Sequence, residues 1–264
     1  MRGREKEESV NVMSTTLLQY LIICPLVGLA GFVDAIAGGG GLISLPAYLI
    51  AGVPTHAAIA TNKMSACMGA TIAAGKYAKN GYIPWKTAIL SAFFAMLGSA
   101  LGAKIALLIS DFWFKRLILV ILPLTAVYIY RNKAMAQEKE PLPLWQTMVI
   151  GSVVAFVIGI YDGFYGPGTG VFLILLLTSL AHYGLREANG LCKAINWVTN
   201  VSALVVFLRN GRVMLTLGIV AGLFSIVGSY LGAKTFEKKG ARSVKPLMLI
   251  VVAIFFVKVL LEIL

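Results

Sequence analysis

The sequence has few charged residues for its length. They make up 13% of 264 residues, about half of the 25% that is typical of a soluble domain. Hydrophobic residues make up 59%, and long stretches lack the polar side chains that would cover a soluble surface. Segments of about 20 apolar residues can span a membrane as helices, which satisfy their own backbone hydrogen bonds in lipid. The period-2 alternation of an outer-membrane barrel is absent, so composition predicts an all-α polytopic membrane protein.

Cysteine, histidine and catalytic motifs are scarce as well. Cys24, Cys67 and Cys192 lie in apolar segments without CxxC spacing, which is typical of small buried side chains and predicts neither a disulfide nor a metal site. His56 and His182 lie in short loops, do not match in the repeat and have no Cys or His beside them as a second metal ligand, so we treat both as incidental. HExxH, GxSxG and the ATP-binding GxxxxGK[ST] motif do not occur. We therefore predict no enzyme activity, no metal and no cofactor, with energy from a gradient, the membrane potential or a separate partner.

Positive charge is in excess, with a formal net charge of +12. The basic residues lie mainly between apolar segments, where lysine and arginine anchor helix ends and contact anionic lipid. Because zinc-finger spacing and a basic helix are both missing, the charge predicts a lipid bilayer as partner and no nucleic acid. The charged stretch MRGREKEESVNV is followed by no convincing small-residue cleavage site, which predicts a short polar tail and a retained first helix.

The sequence contains an internal repeat. GFVDAIAGGG, which begins at Gly31, matches GIYDGFYGPG, which begins at Gly159. AIATNK at 58–63 aligns with ANGLCK at 188–193, and GSALGAK at 98–104 aligns with GSYLGAK at 228–234. Matches in one order and spacing predict a duplication. The predicted divisions are a polar N-terminal tail at 1–14, a first transmembrane repeat at 15–130, a polar linker at 131–143 and a second transmembrane repeat at 144–264.

Each repeat contains four or five segments, and this number decides how the halves are oriented. The predicted segments are 15–36, 42–52, 57–78, 86–108 and 113–130, then 144–164, 169–182, 187–208, 213–235 and 245–263. Five crossings in each half would invert the second copy, whereas four would leave both copies in the same sense. Basic loops fall on both faces under either count, so the positive-inside rule does not choose. We favour inverted repeats because many transporters are built this way, and parallel repeats are the alternative.

A glycine-rich stretch in each half predicts a broken helix. The first has four consecutive glycines at 38–41, and the second contains Pro167. Glycine costs roughly 1 kcal/mol relative to alanine in a helix, and proline removes a backbone donor. Short helices that begin near Leu42 and Thr169 would direct free N–H groups and positive dipole ends into the protein, which favours an anion. The alternative is close packing through small residues, and the two roles can coexist. The residues predicted to contribute are Gly39, Gly40, Gly168 and Thr169.

Polar side chains within the apolar segments are candidates for substrate contact. Lys63 and Lys193 occupy equivalent positions, and an intramembrane lysine costs about 2.5–3.5 kcal/mol unless it faces a partner or a wet cavity. A lysine pair beside two breaks suits an anion, and the alternative is that each ammonium snorkels to a membrane face. Asp34 and Asp162 are candidates for pairing with the lysines, for supporting the breaks or for carrying a coupling proton. The side chains predicted to orient the substrate are Thr61, Asn62, Asn196 and Asn200.

The GSALGAK motif and its copy predict packing instead of binding. Gly98 and Gly102 lie four residues apart on one helix face, as do Gly228 and Gly232. This small-xxx-small spacing lets two helix backbones approach closely. The lysine that ends each motif can snorkel to the headgroups.

Together these motifs resemble the TauE/SafE family of membrane permeases, the sulfite exporter family. The resemblance extends from about Leu17 over most of the chain and depends on the order of GFVDAIAGGGGLISLP, AIATNK, Asn80-Gly81 and GSALGAK and their copies. It implies transport of sulfite, sulfoacetate, related sulfonates or other small organic anions, mostly out of the cell, across a plasma membrane of bacterial type. The family commonly has a Gly-Thr pair ahead of the third segment. This sequence has Ala60-Thr61 and Gly190-Leu191, so a symmetric threonine pair is not expected.

The residues predict a secondary transporter of small anions, and the resemblance implies more specifically an exporter of anions such as sulfite, sulfoacetate or other organosulfonates and carboxylates. The predicted site lies between the two repeats. A passive anion channel and an importer of the same substrates are the alternatives. Export of an anion from a cell that is negative inside is favoured by about 2.3 kcal/mol per charge per 100 mV, so it could run as a uniport. A homodimer is a further expectation.

Overall fold

The computed structural model describes residues 16–110, 112–113, 116 and 140–239, and these residues are helical apart from short connections. No strand occurs in this described part, so the predicted all-α class is confirmed. The predicted tail at 1–14, the segment at 245–263, the segment at 113–130 apart from residues 113 and 116, and most of the linker at 131–143 lie outside the described residues. The eight described helices are α1 (Leu17–Ala37), α2 (Gly41–Ile50), α3 (Thr55–Lys79), α4 (Trp85–Leu108), α5 (Leu144–Phe164), α6 (Thr169–Ser179), α7 (Leu185–Arg209) and α8 (Leu215–Lys239).

Five of the described helices, α1, α4, α5, α7 and α8, are long and apolar enough to cross a membrane. Helix α3 is as long as α7, with 25 residues each, but Lys63, Lys76 and Lys79 lower its hydropathy. Helices α2 and α6 have only 10 and 11 residues, as predicted for the two short segments. The chain is therefore a multi-pass membrane protein.

The order of helix lengths is similar in the two halves. Helices α1 to α4 have 21, 10, 25 and 24 residues, and α5 to α8 have 21, 11, 25 and 25. The equivalent helices α3 and α7 run in opposite directions, since Trp197 contacts Thr71 while the earlier Asn189 contacts the later Tyr77. This is the relation that inverted halves would have. The duplication and its inversion stay predictions, because the fifth segment of each half lies outside the described residues.

The two halves are packed into each other. Helix α4 of the first half packs on α5 and α7, helix α8 packs on α1 and α3, and α3 meets α7. Glycines allow the closest approaches: a Cβ added at Gly102 would lie 2.0 Å from the Ile160 carbonyl oxygen, and one at Gly228 would lie 1.8 Å from that of Gly28. The packing role predicted for the GSALGAK motif and its copy is confirmed. The first motif packs α4 on α5 and the second packs α8 on α1. Both motifs therefore fix how closely the two halves approach each other.

Candidate functional site

Both glycine-rich stretches break a helix, as predicted. Helix α1 ends at Ala37 and α2 begins at Gly41, while α5 ends at Phe164 and α6 begins at Thr169. The turn between α1 and α2 has Gly38 at φ 73°, a left-handed conformation that glycine adopts without steric cost. The two breaks touch, because a Cβ added at Gly38 would lie 2.4 Å from the carbonyl carbon of Gly170. The breaks of the two halves therefore form one continuous backbone feature.

Two ion pairs connect the halves crosswise at the breaks. Lys63 Nζ lies 2.8 Å from Asp162 Oδ2, and Lys193 Nζ lies 3.5 Å from Asp34 Oδ2. Each lysine thus pairs with the aspartate of the other half. Lys63 is 2% exposed and Lys193 is 0% exposed, so neither ammonium reaches the surface as the snorkelling alternative requires. Asp34 and Asp162 were considered for pairing with the lysines, for supporting the breaks and for carrying a proton. Both of them pair with a lysine.

Asp34 also supports the first break. Its Oδ1 accepts a hydrogen bond from the backbone N–H of Gly40 at 3.3 Å, and its backbone carbonyl accepts one from the N–H of Gly38 at 2.8 Å. The same carbonyl accepts a hydrogen bond from Lys193 Nζ. Asn196 Nδ2 lies 3.4 Å from Asp34 Oδ2. The side chain and the backbone of Asp34 therefore hold the turn between α1 and α2 together.

Two residues that sequence reasoning missed complete the end of α1. The Tyr77 hydroxyl donates to the carbonyl of Ala35 at 2.8 Å, and Asn189 Nδ2 donates to the carbonyl of Ile36 at 2.9 Å. Carbonyls in the last turn of a helix have no partner within it. With the Asp34 carbonyl, three successive carbonyls are bonded by side chains of α3 and α7. A buried asparagine and tyrosine in apolar segments were the available signal, but nothing local indicated their partners.

A cavity lies beside the Lys63–Asp162 pair, between the breaks and helices α1, α3, α7 and α8. The volume in which the centre of a water molecule can lie is about 40 Å³. One water needs roughly 10–15 Å³ by this measure, so about three or four water-sized groups fit. The predicted site residues that line the cavity are Asp34, Gly40, Asn62, Lys63, Asp162, Thr169, Asn196 and Asn200.

Four predicted residues do not line it. Lys193 is held by Asp34, as described above. The Thr61 hydroxyl accepts a hydrogen bond from the N–H of Met214 at 3.0 Å, where α8 begins. The Gly39 carbonyl accepts a hydrogen bond from the N–H of Leu42 in α2 at 3.1 Å. The Gly168 carbonyl accepts one from the N–H of Phe172 in α6 at 3.0 Å. These residues build the surroundings of the cavity and do not contact its interior.

The serines of the cavity were not predicted. Ser44, Ser65, Ser225 and Ser229 all line it. Ser229 belongs to the GSYLGAK motif, which sequence reasoning assigned to packing, and it has both roles because α8 borders the cavity. The signal that could have identified Ser225 and Ser229 is their shared face, since residues four apart on a helix point the same way.

Several groups at the cavity wall have no partner for their hydrogen-bonding capacity. Asn62 is 7% exposed, and its Oδ1 accepts no hydrogen bond from any described residue. Gly41 and Gly170 line the cavity in the first turns of α2 and α6, where N–H groups lack an acceptor within the helix and the helix dipole is positive. No cluster of metal-binding side chains occurs in the part of the chain that the structure describes. N–H groups at helix N-termini are typical of anion sites, whereas the Asn62 oxygen can accept a hydrogen bond from a ligand.

Comparison with known proteins gives a consistent set of relatives. A family model described as "Sulfite exporter TauE/SafE" matches residues 23–259. The chain is 34% identical over 238 residues to the probable membrane transporter protein ORF9 of a Sinorhizobium species, and this alignment covers 89% of each chain. It is 32% identical over 234 residues to a probable membrane transporter protein of Haemophilus influenzae, covering 88% of this chain and 91% of the relative. It is 27% identical over 256 residues to the probable membrane transporter protein YfcA of Escherichia coli, covering 97% and 94%. No solved structure matches.

Proposed function

The chain belongs to the sulfite exporter TauE/SafE family of membrane transporters, and from this premise we propose that it is a secondary transporter of small anions. The proposed site is the cavity between the two broken helices. The proposed substrates are sulfite and small organosulfonates or carboxylates, and the proposed direction is export. No enzyme activity forms part of this proposal.

The observation that carries the proposal is the position of Lys63. Its ammonium lies against the second break, since a Cβ added at Gly166 would be 3.1 Å from Lys63 Nζ. It lines the same cavity as Asn62 and the first-turn glycines of α2 and α6. An anion in this cavity would therefore meet a full positive charge, backbone donors and an amide. Charge-assisted hydrogen bonds of this kind are about twice as strong as neutral ones.

Binding at this position would also change how the halves are held together. The side chains of Lys63 and Asp162 are each 3% exposed, so an anion must compete with the carboxylate for the ammonium. That competition would loosen a contact between α3 of the first half and α5 of the second. A proton taken up by Asp162 would favour the same exchange, and we include it as a candidate coupling ion. Substrate binding would thus shift the balance between two arrangements of the halves, which a carrier requires and a channel does not.

The test is flux of labelled sulfite in proteoliposomes under an imposed potential. We expect saturable flux in the unmodified protein, loss of flux in Lys63→Gln, and retention in Lys104→Gln, which removes an exposed lysine of α4. Unlabelled sulfite on the far side should accelerate exchange in a carrier and leave a channel unaffected. Undiminished flux in Lys63→Gln would contradict the proposed site. Efflux from preloaded cells, compared with uptake, tests the direction.

A further inference from the structure

We propose that the cavity selects anions with a single negative charge and a short uncharged tail. The charged end would lie at Lys63, and the tail would lie in a chamber between α1, α3 and α8 that is lined by Val27, Ala30, Ala66, Ala70, Ser225 and Ser229. We call this part of the cavity the serine chamber. This inference rests on the proposed anion-transport function and names its substrate class more narrowly.

Only one cation is available to the substrate. Lys63 is the one lysine or arginine that lines the cavity among the described residues. Lys193 is fully buried outside the lining and is bonded to the carbonyl and carboxylate of Asp34. Two carboxylates, Asp34 and Asp162, line the same space. A second negative charge on the substrate would have no ammonium to pair with and two carboxylates nearby, and an unpaired buried charge is strongly unfavourable.

The serine chamber offers alkyl contacts and two hydroxyls with spare capacity. Ser229 Oγ donates one long hydrogen bond, at 3.3 Å, to the carbonyl of Gly31. Ser225 makes no hydrogen bond to any residue that the structure describes, although it is only 4% exposed. Each hydroxyl supplies one donor and two acceptor lone pairs. Ser65 differs, because its hydroxyl already donates to the Asn62 carbonyl and accepts from Tyr48, each at 3.0 Å. The Ser225 hydroxyl and the unused acceptor lone pairs of Ser229 fit an uncharged polar group at the end of a short carbon chain.

Three residues around the chamber are not matched in the other half. The repeat aligns Ser65, Gly69 and Ser225 with larger or less polar residues, and a Cβ added at Gly69 would lie 2.2 Å from Ser225 Oγ. The aligned residues are Ile195, Thr199 and Ala95, each 0% exposed. These three positions in the other half are therefore filled and do not line the cavity.

The size of the cavity limits the tail. With about 40 Å³ open to the centres of water-sized groups, the space holds roughly three or four of them. Because the same space also holds the charged group, it leaves room for a short chain with one polar end and not for an aromatic ring. The structure thus favours 2-hydroxyethanesulfonate over ethanesulfonate, and both over the doubly charged sulfoacetate and the ring of benzenesulfonate.

Equilibrium binding to the purified full-length protein tests this order separately from transport. We expect 2-hydroxyethanesulfonate to bind about three- to tenfold more tightly than ethanesulfonate, which is the effect of one net hydrogen bond. Sulfoacetate should bind about tenfold or more weakly than 2-hydroxyethanesulfonate, because its second charge stays unpaired. Calorimetry, or the rise in unfolding temperature with ligand concentration, measures each affinity.

Variants of the chamber sharpen the test. Ser225→Ala gives the residue found at the aligned position 95 and should bring the affinities for 2-hydroxyethanesulfonate and ethanesulfonate together. Ala66→Leu should fill the chamber and weaken both sulfonates relative to sulfite. Ser202→Ala is the matched control, because Ser202 bonds to the Met96 carbonyl at 2.8 Å and does not line the cavity. It should keep the unmodified ratio.

Each outcome decides something. Equal or tighter binding of sulfoacetate would overturn the single-charge inference, and an unchanged ratio in Ser225→Ala would overturn the serine chamber. Binding in the expected order without any flux in proteoliposomes would refute only the transport function. If none of these anions binds, both proposals fail.

Discussion

Replacing Asp162 with asparagine should destabilise the protein by leaving Lys63 without its counter-ion. The Nζ to Oδ2 distance is 2.8 Å and both side chains are 3% exposed, so this carboxylate is the counter-charge that the buried ammonium has among the described residues. Removing one partner of a buried ion pair costs about 3–5 kcal/mol, because the other charge stays buried and uncompensated. At about 2–4 °C per kcal/mol for a chain of this size, the unfolding temperature should fall by about 10 °C.

The pair at the other break supplies a matched comparison. Asp34→Asn should cost less, because Lys193 keeps the backbone carbonyl of Asp34 as an acceptor and the Asp34 side chain is 21% exposed. The double variant Lys63→Gln/Asp162→Asn should recover most of the stability lost in Asp162→Asn, since replacing both charges of a buried pair is often neutral.

Thermal unfolding of the purified protein in detergent, followed by tryptophan fluorescence, measures these differences. The double-mutant cycle isolates the coupling between the two side chains from their separate effects. The reasoning is refuted if Asp162→Asn unfolds within about 1 °C of the unmodified protein, or if the double variant is as unstable as Asp162→Asn. Either result would mean that the Lys63 ammonium has another source of stabilisation.

Four further substitutions test the packing and the limits of the site. Gly228→Ala should lower the unfolding temperature markedly because the added Cβ would lie 1.8 Å from a carbonyl of α1, whereas Gly75→Ala, with nothing within 4 Å, should stabilise by up to about 1 kcal/mol. Tyr77→Phe should cost about 1–3 kcal/mol because a buried carbonyl at the end of α1 loses its donor, and chemical denaturation can measure this loss. Thr61→Val should cost about 1 kcal/mol by removing the acceptor for the Met214 N–H. Its sulfite affinity should be unchanged, because the side chain does not line the cavity; a weaker affinity would return Thr61 to the binding site.

Much of the site could be predicted because it depends on local chemistry. Glycine-rich stretches break helices wherever they occur, so the ends of α1 and α5 were found within a few residues. A lysine inside an apolar segment needs a partner whatever its neighbours are, which identified Lys63 and Lys193. What this logic could not supply was the partner, because the sequence alone does not say which aspartate approaches which lysine.

The sequence by itself determined that this chain is an all-α membrane protein with two broken helices and candidate charges beside them. Composition and local backbone preference are sufficient for those conclusions, since lipid leaves helices as the structure that satisfies an apolar segment. Tertiary structure alone decided that the ion pairs cross between halves, that Lys63 lines the cavity while Lys193 does not, and that Ser225 and Ser229 complete it from the end of the described chain. The physical reason is that these contacts depend on helix packing, in which α8 lies against α1 at Gly228 and Gly232. Residues about two hundred positions apart, such as Gly31 and Ser229, become neighbours only when those backbones meet.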